Sequence, residues 1–161
     1  MIKEALHGDL ETSLQQLVVF RLADEEYGAS VQQVKEVIVL PEVTPMPRIP
    51  EDIRGVINLR GQIIAVVDLS RRLGVIHGSV SEPEHVIIVE LDKFTVGMIV
   101  DEVPEVIKLS EENIEQSPYL IQHSVDREYI VGVAKTGQRL IVVLDLLRVL
   151  SKGEISQLKA S

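Results

Sequence analysis

The strongest constraint on the fold of this chain is that it repeats itself. VQQVKEVI begins at Val31 and VDEVPEVI at Val100, with five of eight positions identical at an offset of 69 residues. The same offset pairs Phe20-Arg21-Leu22 with Val89-Glu90-Leu91, and Gly28 with Gly97. Further on, GVINLRGQIIAVVDL from Gly55 matches GVAKTGQRLIVVLDL from Gly132 at an offset of 77. The growth in offset places an eight-residue insertion in the second copy, between Leu109 and Ile130. Gly to Asp spans 13 positions in both copies, although the Gly-Gln of the turn comes one residue earlier in the second. Two matches in the same order indicate duplication, and repeats are read before motifs because they set the architecture.

Each copy has the same local grammar. LVVFRL and VIIVEL read as strands, followed by turns at ADEE and DK and then strands through YGAS and TVGMIV. VKEVIVL and VPEVIKL are extended, and each copy ends in a hairpin of two Val/Ile-rich runs. Aromatics are only 3% of the chain, so Val, Ile and Leu must build the core. The expected fold is mostly β: two similar small five-stranded barrels packed together, with short helices and a C-terminal helix. EDIRG after Pro50 is expected to form one helical turn. DLSRRLG reads as a short helix capped by Asp68 and stopped by Gly74, and Ser110 stands as an N-cap before EEN. DLLRVLSKGEISQLK is the C-terminal helix, weakened at Gly153.

The repeats run from about 16 to 76 and from 85 to 150, with HGSVSEPEH, 77–85, as the linker. Residues 1–15 are an N-terminal extension, and 151–161 are the end of the last helix and a tail. About 70 residues per copy is a thin core for an independent fold. The copies should therefore pack intimately, leaving a groove between them for a partner.

Charge and composition narrow the function. With 25 acidic and 16 basic residues the formal net charge is −9. No basic stripe is present to neutralise phosphates, and Arg71-Arg72 reads as a solvated helix face. There is no cysteine, and the N-terminus has no secretory apolar stretch, so a cytoplasmic chain without membrane insertion is expected. The chain runs from Met1 to a polar tail, which reads as a complete protein.

Catalytic and metal chemistry find little footing. His7, His77, His85 and His123 are scattered and read as surface or loop histidines. Asp24-Glu25-Glu26 is too short for a calcium loop and reads as a turn. Asp68 and Asp145 occupy matching places, each leading into a helix, so capping is favoured over carboxylate catalysis. No GxSxG, phosphate loop or HExxH is present. No catalytic residue, metal or cofactor is expected.

GVINLRGQIIAVVDL, preceded by QLVVFRLADEEYGASVQQVKEVI and VTPMPRIPEDIRG, resembles the CheW family of bacterial chemotaxis coupling proteins from about residue 16 to 150. GMIVDEVPEVIKLSEENI in the second half is similar to it as well. The resemblance implies two barrels related to SH3 domains, a hydrophobic seam and strands exchanged between repeats. It also implies a non-catalytic adaptor, monomeric alone. The implied partners are the cytoplasmic tip of a methyl-accepting chemoreceptor and the regulatory domain of the histidine kinase CheA. Three alternatives remain: a CheW-like regulatory domain from a kinase, one from a receiver-fused coupling protein, or a nucleic-acid-binding barrel. Acidic charge and scarce aromatics oppose the last.

By the same resemblance, Arg60 matches an arginine implicated in receptor and kinase coupling, with Asn58 and Gly61 shaping its turn and Glu36 nearby. Glu36 and Arg60 are expected to form a partly exposed ion pair, whereas Glu105, in the other copy, has no arginine at its turn. A requirement of the fold alone should recur in both copies, so the asymmetry favours a specialised role for Arg60. Val34, Val37 and Val56 are candidates for the apolar floor of a receptor groove, or else plain core. Val43 and Met46, in VLPEVTPMP, are candidates for kinase contact, or else a passive loop. Pro45 and Pro47 lack backbone donors there and discourage edge pairing.

Overall fold

The computed structural model describes residues 14–75, 82–91, 93–116 and 127–150. The first repeat supplies β1 (Leu14–Leu22), β2 (Glu25–Ser30), β3 (Glu36–Val39), β4 (Ile53–Leu59), β5 (Gln62–Asp68) and helix α1 (Leu69–Leu73). The second supplies β6 (His85–Leu91), β7 (Phe94–Val100), β8 (Glu102–Ser110), β9 (Ile114–Glu115), β10 (Ile130–Thr136), β11 (Arg139–Leu144) and helix α2 (Leu146–Leu150). Short 3-10 turns occupy Val31–Gln33, Glu111–Asn113 and Arg127–Tyr129. The predicted helical turn at EDIRG is instead a tight turn running into β4. Residues 77–81 of the linker, residues 117–126 of the stretch expected to hold the insertion, and Gly153 lie outside the described residues.

Neither sheet is built from one repeat. The first barrel has strand order β8-β1-β2-β11-β10-β9, and the second has β3-β6-β7-β5-β4. Each draws strands from both copies, so the sequence boundary between repeats is not a boundary between barrels. Duplication is still visible in the seams. β2 runs parallel to β11, with Gly28 beside Val143, and β7 runs parallel to β5, with Gly97 beside Val66. At the Gly97 crossing a side chain has no room, and at the Gly28 crossing it would be tight. A Cβ at Gly97 would come within 2.6 Å of Val86 Cγ1, and one at Gly28 within 3.1 Å of Ile141 Cγ2.

Alternation along the strands builds three cores. Leu17, Val19, Ile141 and Val143 point into the first barrel; Ile64, Val66, Val86 and Ile88 point into the second. The opposite faces, including Phe20, Leu22, Ile87, Val89 and Met98, meet between the barrels. VIIV in β6 is continuous in apolar residues because both of its faces are buried. Among the described residues the shared core holds eighteen buried side chains against six inside each barrel. At roughly 1.5–3 kcal/mol for each fully buried aliphatic side chain, the seam dominates the fold. It is filled, so the groove expected between the copies is a core instead.

The helices behave as local chemistry dictates. Asp68 Oδ1 accepts from Arg71 N, and Gly74 at φ +74 ends α1. Asp145 Oδ1 accepts from Leu147 N and Arg148 N. Gln33 joins the repeats there, its Oε1 accepting from Leu146 N and its Nε2 donating to Asp145 Oδ1, both at 2.9 Å. Arg72 is not a solvated residue of α1 as expected. Its side chain is only 12% exposed, its Nε donates to Val149 O, and its guanidinium lies 5.6 Å from the Tyr129 ring centroid. It clamps α2 onto α1 across the shared core.

Candidate functional site

The β4–β5 hairpin closes between Leu59 and Gln62, leaving Arg60 and Gly61 as a two-residue loop. Their φ values are +51 and +88, the pattern of a type I′ turn. Asn58 Oδ1 accepts from Gly61 N at 2.8 Å and braces the loop. Gly61 suits this backbone; an arginine in the left-handed region does not, since its Cβ crowds the following carbonyl. From that position Arg60 Nη2 reaches Glu36 Oε1 at 2.8 Å and Oε2 at 3.0 Å. Glu36 begins β3 in the register of Ile38 and Leu40, which pack toward the second barrel's interior, so the pair closes that barrel's mouth. The Arg60 side chain stays 67% exposed.

The other barrel corrects one expectation. Glu105 does meet an arginine: Arg139 Nη1 donates to its Oε1 at 2.7 Å. Arg139 also grips Glu26 with two bonds, Nε to Oε1 at 3.1 Å and Nη2 to Oε2 at 2.7 Å. Those bonds hold the Glu26 carboxyl below its ordinary range, against a smaller opposing effect of burial. Glu26 therefore belongs to a strand and an ion pair, not to a turn. The β10–β11 loop, Gly137-Gln138, also has two residues, but only Gly137 has positive φ, as in a type II′ turn. The shifted Gly-Gln is thus a change of turn type at constant loop length. Arg139 lies just past that loop, as the opening residue of β11.

The remaining candidates are spread out. Val34 is half-buried against the shared core. Val37 is exposed on the outer face of edge strand β3, beside the even more exposed Val39. Val56 is half-buried on β4, the opposite edge of the same sheet, and exchanges two 2.9 Å backbone bonds with Thr44. That bridge folds the proline-rich segment over the edge of β4. It tucks Val43 against the second barrel's interior and leaves Met46 exposed. Gly55 lies beneath the crossing, where a Cβ would fall 2.3 Å from Thr44 O. An open cleft of about 960 Å³ flanks the first barrel, lined by Leu14, Val31, Gln33, Val131 and Asp145 among others, and contains none of these candidates. Sequence reading missed Ile63, at 65% the most exposed large apolar side chain among the described residues. It follows the Arg60 turn and pairs across the strands with Asn58. An isoleucine at an outward position of a hairpin tip was the available signal.

His85, the described histidine, sits at the head of β6 with its Nδ1 3.4 Å from Asp101 O. Among the described residues no three His, Asp or Glu side chains gather to hold a metal ion, and no helix is long and apolar enough to cross a membrane.

A family model described as a CheW-like domain matches residues 16–154. "Chemotaxis protein CheW" of Treponema pallidum is 31% identical over 147 residues, covering 89% of this chain and 86% of that protein. "Chemotaxis protein CheW" of Bacillus subtilis is 35% identical over 138 residues, covering 86% and 88%. The crystal structure of the scaffolding protein TtCheW from Thermoanaerobacter tengcongensis superposes with a TM-score of 0.78 at 38% identity, covering 87% of this chain and 90% of that one. With matching repeats, two barrels and a family match across most of its length, the chain belongs to the CheW-like family.

Proposed function

We propose that this chain is a cytoplasmic, non-catalytic adaptor that couples the tip of a chemoreceptor to the regulatory domain of the kinase CheA. The observation that carries this reading is the exposed guanidinium of Arg60, braced at a hairpin tip by Asn58, Gly61 and Glu36. Receptor contact is assigned to Arg60, Glu36, Asn58 and Gly61, with Val34, Val37 and Val56 as its candidate apolar residues. Kinase contact is assigned to Val43 and Met46, with Met46 the side chain that reaches solvent. The chemotaxis and scaffolding names of its relatives support the adaptor role. They lend none to a nucleic-acid-binding barrel.

Holding two partners at once raises the effective concentration of one near the other. Anchors within modest interfaces carry most of the energy of such contacts. Titrating the protein against a receptor tip fragment and a kinase regulatory domain tests the proposal. Binding to both, with Arg60→Ala losing one selectively while remaining folded, is the expected result. Binding to neither overturns it.

A further inference from the structure

The chain crosses from the first barrel to the second at the 3-10 turn Val31–Gln33, which joins β2 to β3. Ser30 Oγ accepts from Gln32 N at the head of this turn, and Val34 N donates to Val31 O at its end. Lys35 N then donates to Ile88 O at 2.8 Å, which ties the chain into the second barrel. Between them Val34 is half-buried against the shared core. Of the two glutamines in the turn, Gln32 is exposed and Gln33 is half-buried.

Gln33 finds its partners at the far end of the other repeat. Its Oε1 accepts from Leu146 N, the first N–H of α2, and its Nε2 donates to Asp145 Oδ1, the cap of that helix. A primary amide can do both at once, because it carries an acceptor and a donor side by side. A glutamate here would set one carboxylate against another, and a lysine could not accept from Leu146.

The other half of the molecule shows that the fold does not require this contact. At the repeat offsets of 69 and 77, Gln33 corresponds to Glu102 and Asp145 to Asp68. Two ionised carboxylates repel, and each of these has its own arginine. Glu102 meets Arg21 at 3.2 Å, and Asp68 meets Arg54 at 2.8 Å. Helix α1 starts on its Asp68 cap all the same. Of the two matched places, only the crossing that leads into Glu36 and Val37 is latched to a helix start.

We infer that Gln33 is a positioning residue for the receptor-facing residues 34–37, which it sets in place by latching the crossing between the barrels to the start of α2. The inference rests on the adaptor reading for the identity of the partner. A segment already held in its bound pose loses less freedom on binding. Such coupling is reciprocal, so a partner seated on the segment must tighten the latch by the factor by which the latch tightens the partner.

Three variants test it. Gln33→Met keeps the length of the side chain and removes both polar groups, Asp145→Ser keeps a helix cap of shorter reach, and the third variant combines them. The readouts are titration with a receptor tip fragment and with a kinase regulatory domain, and hydrogen exchange at Leu146 N–H in the free and bound protein. Gln33→Met should speed exchange at Leu146 about tenfold in the free protein. It should bind the receptor fragment about three- to tenfold more weakly and the kinase domain as the parent does. Asp145→Ser should weaken receptor binding less, and the double variant should lose no more than Gln33→Met alone. In the parent, the receptor fragment should slow exchange at Leu146 by the matching factor.

Three results overturn the positioning role. Losses that add in the double variant would mean that Gln33 touches the partner itself. Equal weakening toward both fragments would mean that the barrels have loosened as a whole. Exchange at Leu146 indifferent to Gln33→Met would mean that the latch does not form in solution. If the parent binds the receptor fragment and the variants bind it equally well, the positioning role falls alone; if the parent does not bind it, the adaptor reading falls too.

Discussion

The two barrels are built from one repeated plan, and they differ most where β4 and β10 bulge. The register slips between Ile53 and Gly55 in one and between Ile130 and Gly132 in the other, the same place in each repeat. A bulge re-aims the residue it carries. In the second barrel that residue is Arg54, whose Nη1 meets Glu84 Oε1 at 2.6 Å and whose Nη2 meets Asp68 Oδ2 at 2.8 Å. In the first it is Val131, 38% exposed and lining the open cleft. One bulge thus staples β4 to the return from the linker and to the cap of α1, while the other leaves a surface open. Shared architecture does not imply shared use of equivalent positions.

Arg54→Leu should break this difference with the largest effect. Glu84 and Asp68 are about 15% exposed, so removing their partner strands two poorly solvated charges. A loss of about 2–3 kcal/mol is expected, below the full penalty for a buried pair because Arg54 itself reaches solvent. Denaturant unfolding measures it; a loss below that of a surface variant would show the staple to be ornamental.

The paired glycines sharpen the comparison at the next level. Gly97→Ala pushes a Cβ against two valines from different strands, Val86 and Val66, whereas Gly28→Ala crowds one Ile141 methyl. Overpacking of the first kind typically costs about 1–3 kcal/mol, and the second should be the smaller. Equal losses in chemical denaturation would mean that the seams yield equally.

The barrel mouths differ by less. Arg139→Gln should lower stability by roughly 0.5–1 kcal/mol, the upper range for an exposed pair, since two carboxylates share that arginine. Arg60→Gln should leave it near the parent value, because only one exposed ion pair, with Glu36, is lost.

The smallest effect is in acid. With its folded pKa depressed below the ordinary 4.5, Glu26 contributes stability that is present above that value and lost as pH falls through the depressed one. Arg139→Gln should therefore flatten part of the decline in unfolding temperature as pH falls below the ordinary carboxylate value of 4.5. An unchanged acid limb would detach Glu26 from the mouth of the first barrel.

Much of the site was legible before any coordinates. The hairpin around Arg60-Gly61 and the capping by Asp68 and Asp145 rest on neighbours within a few residues. The Glu36–Arg60 contact was reached through a family resemblance. Arg139 escaped notice because its partners, Glu26 and Glu105, lie 113 and 34 residues away. Arg72 read as solvated because it stands in a basic pair with Arg71, whereas its actual partners, Tyr129 and Val149, come from the end of the other repeat.

By itself the sequence determined the duplication, the strands and hairpins of each copy, and the two helix starts, because alternation, turn residues and caps act over a few residues. Only the tertiary structure decided which strands pair across the repeats, that the seam is the main core, and which arginine closes each barrel. Strand partners are chosen by how two-faced apolar strands bury both faces at once. That choice is collective, and no short stretch of the chain contains it.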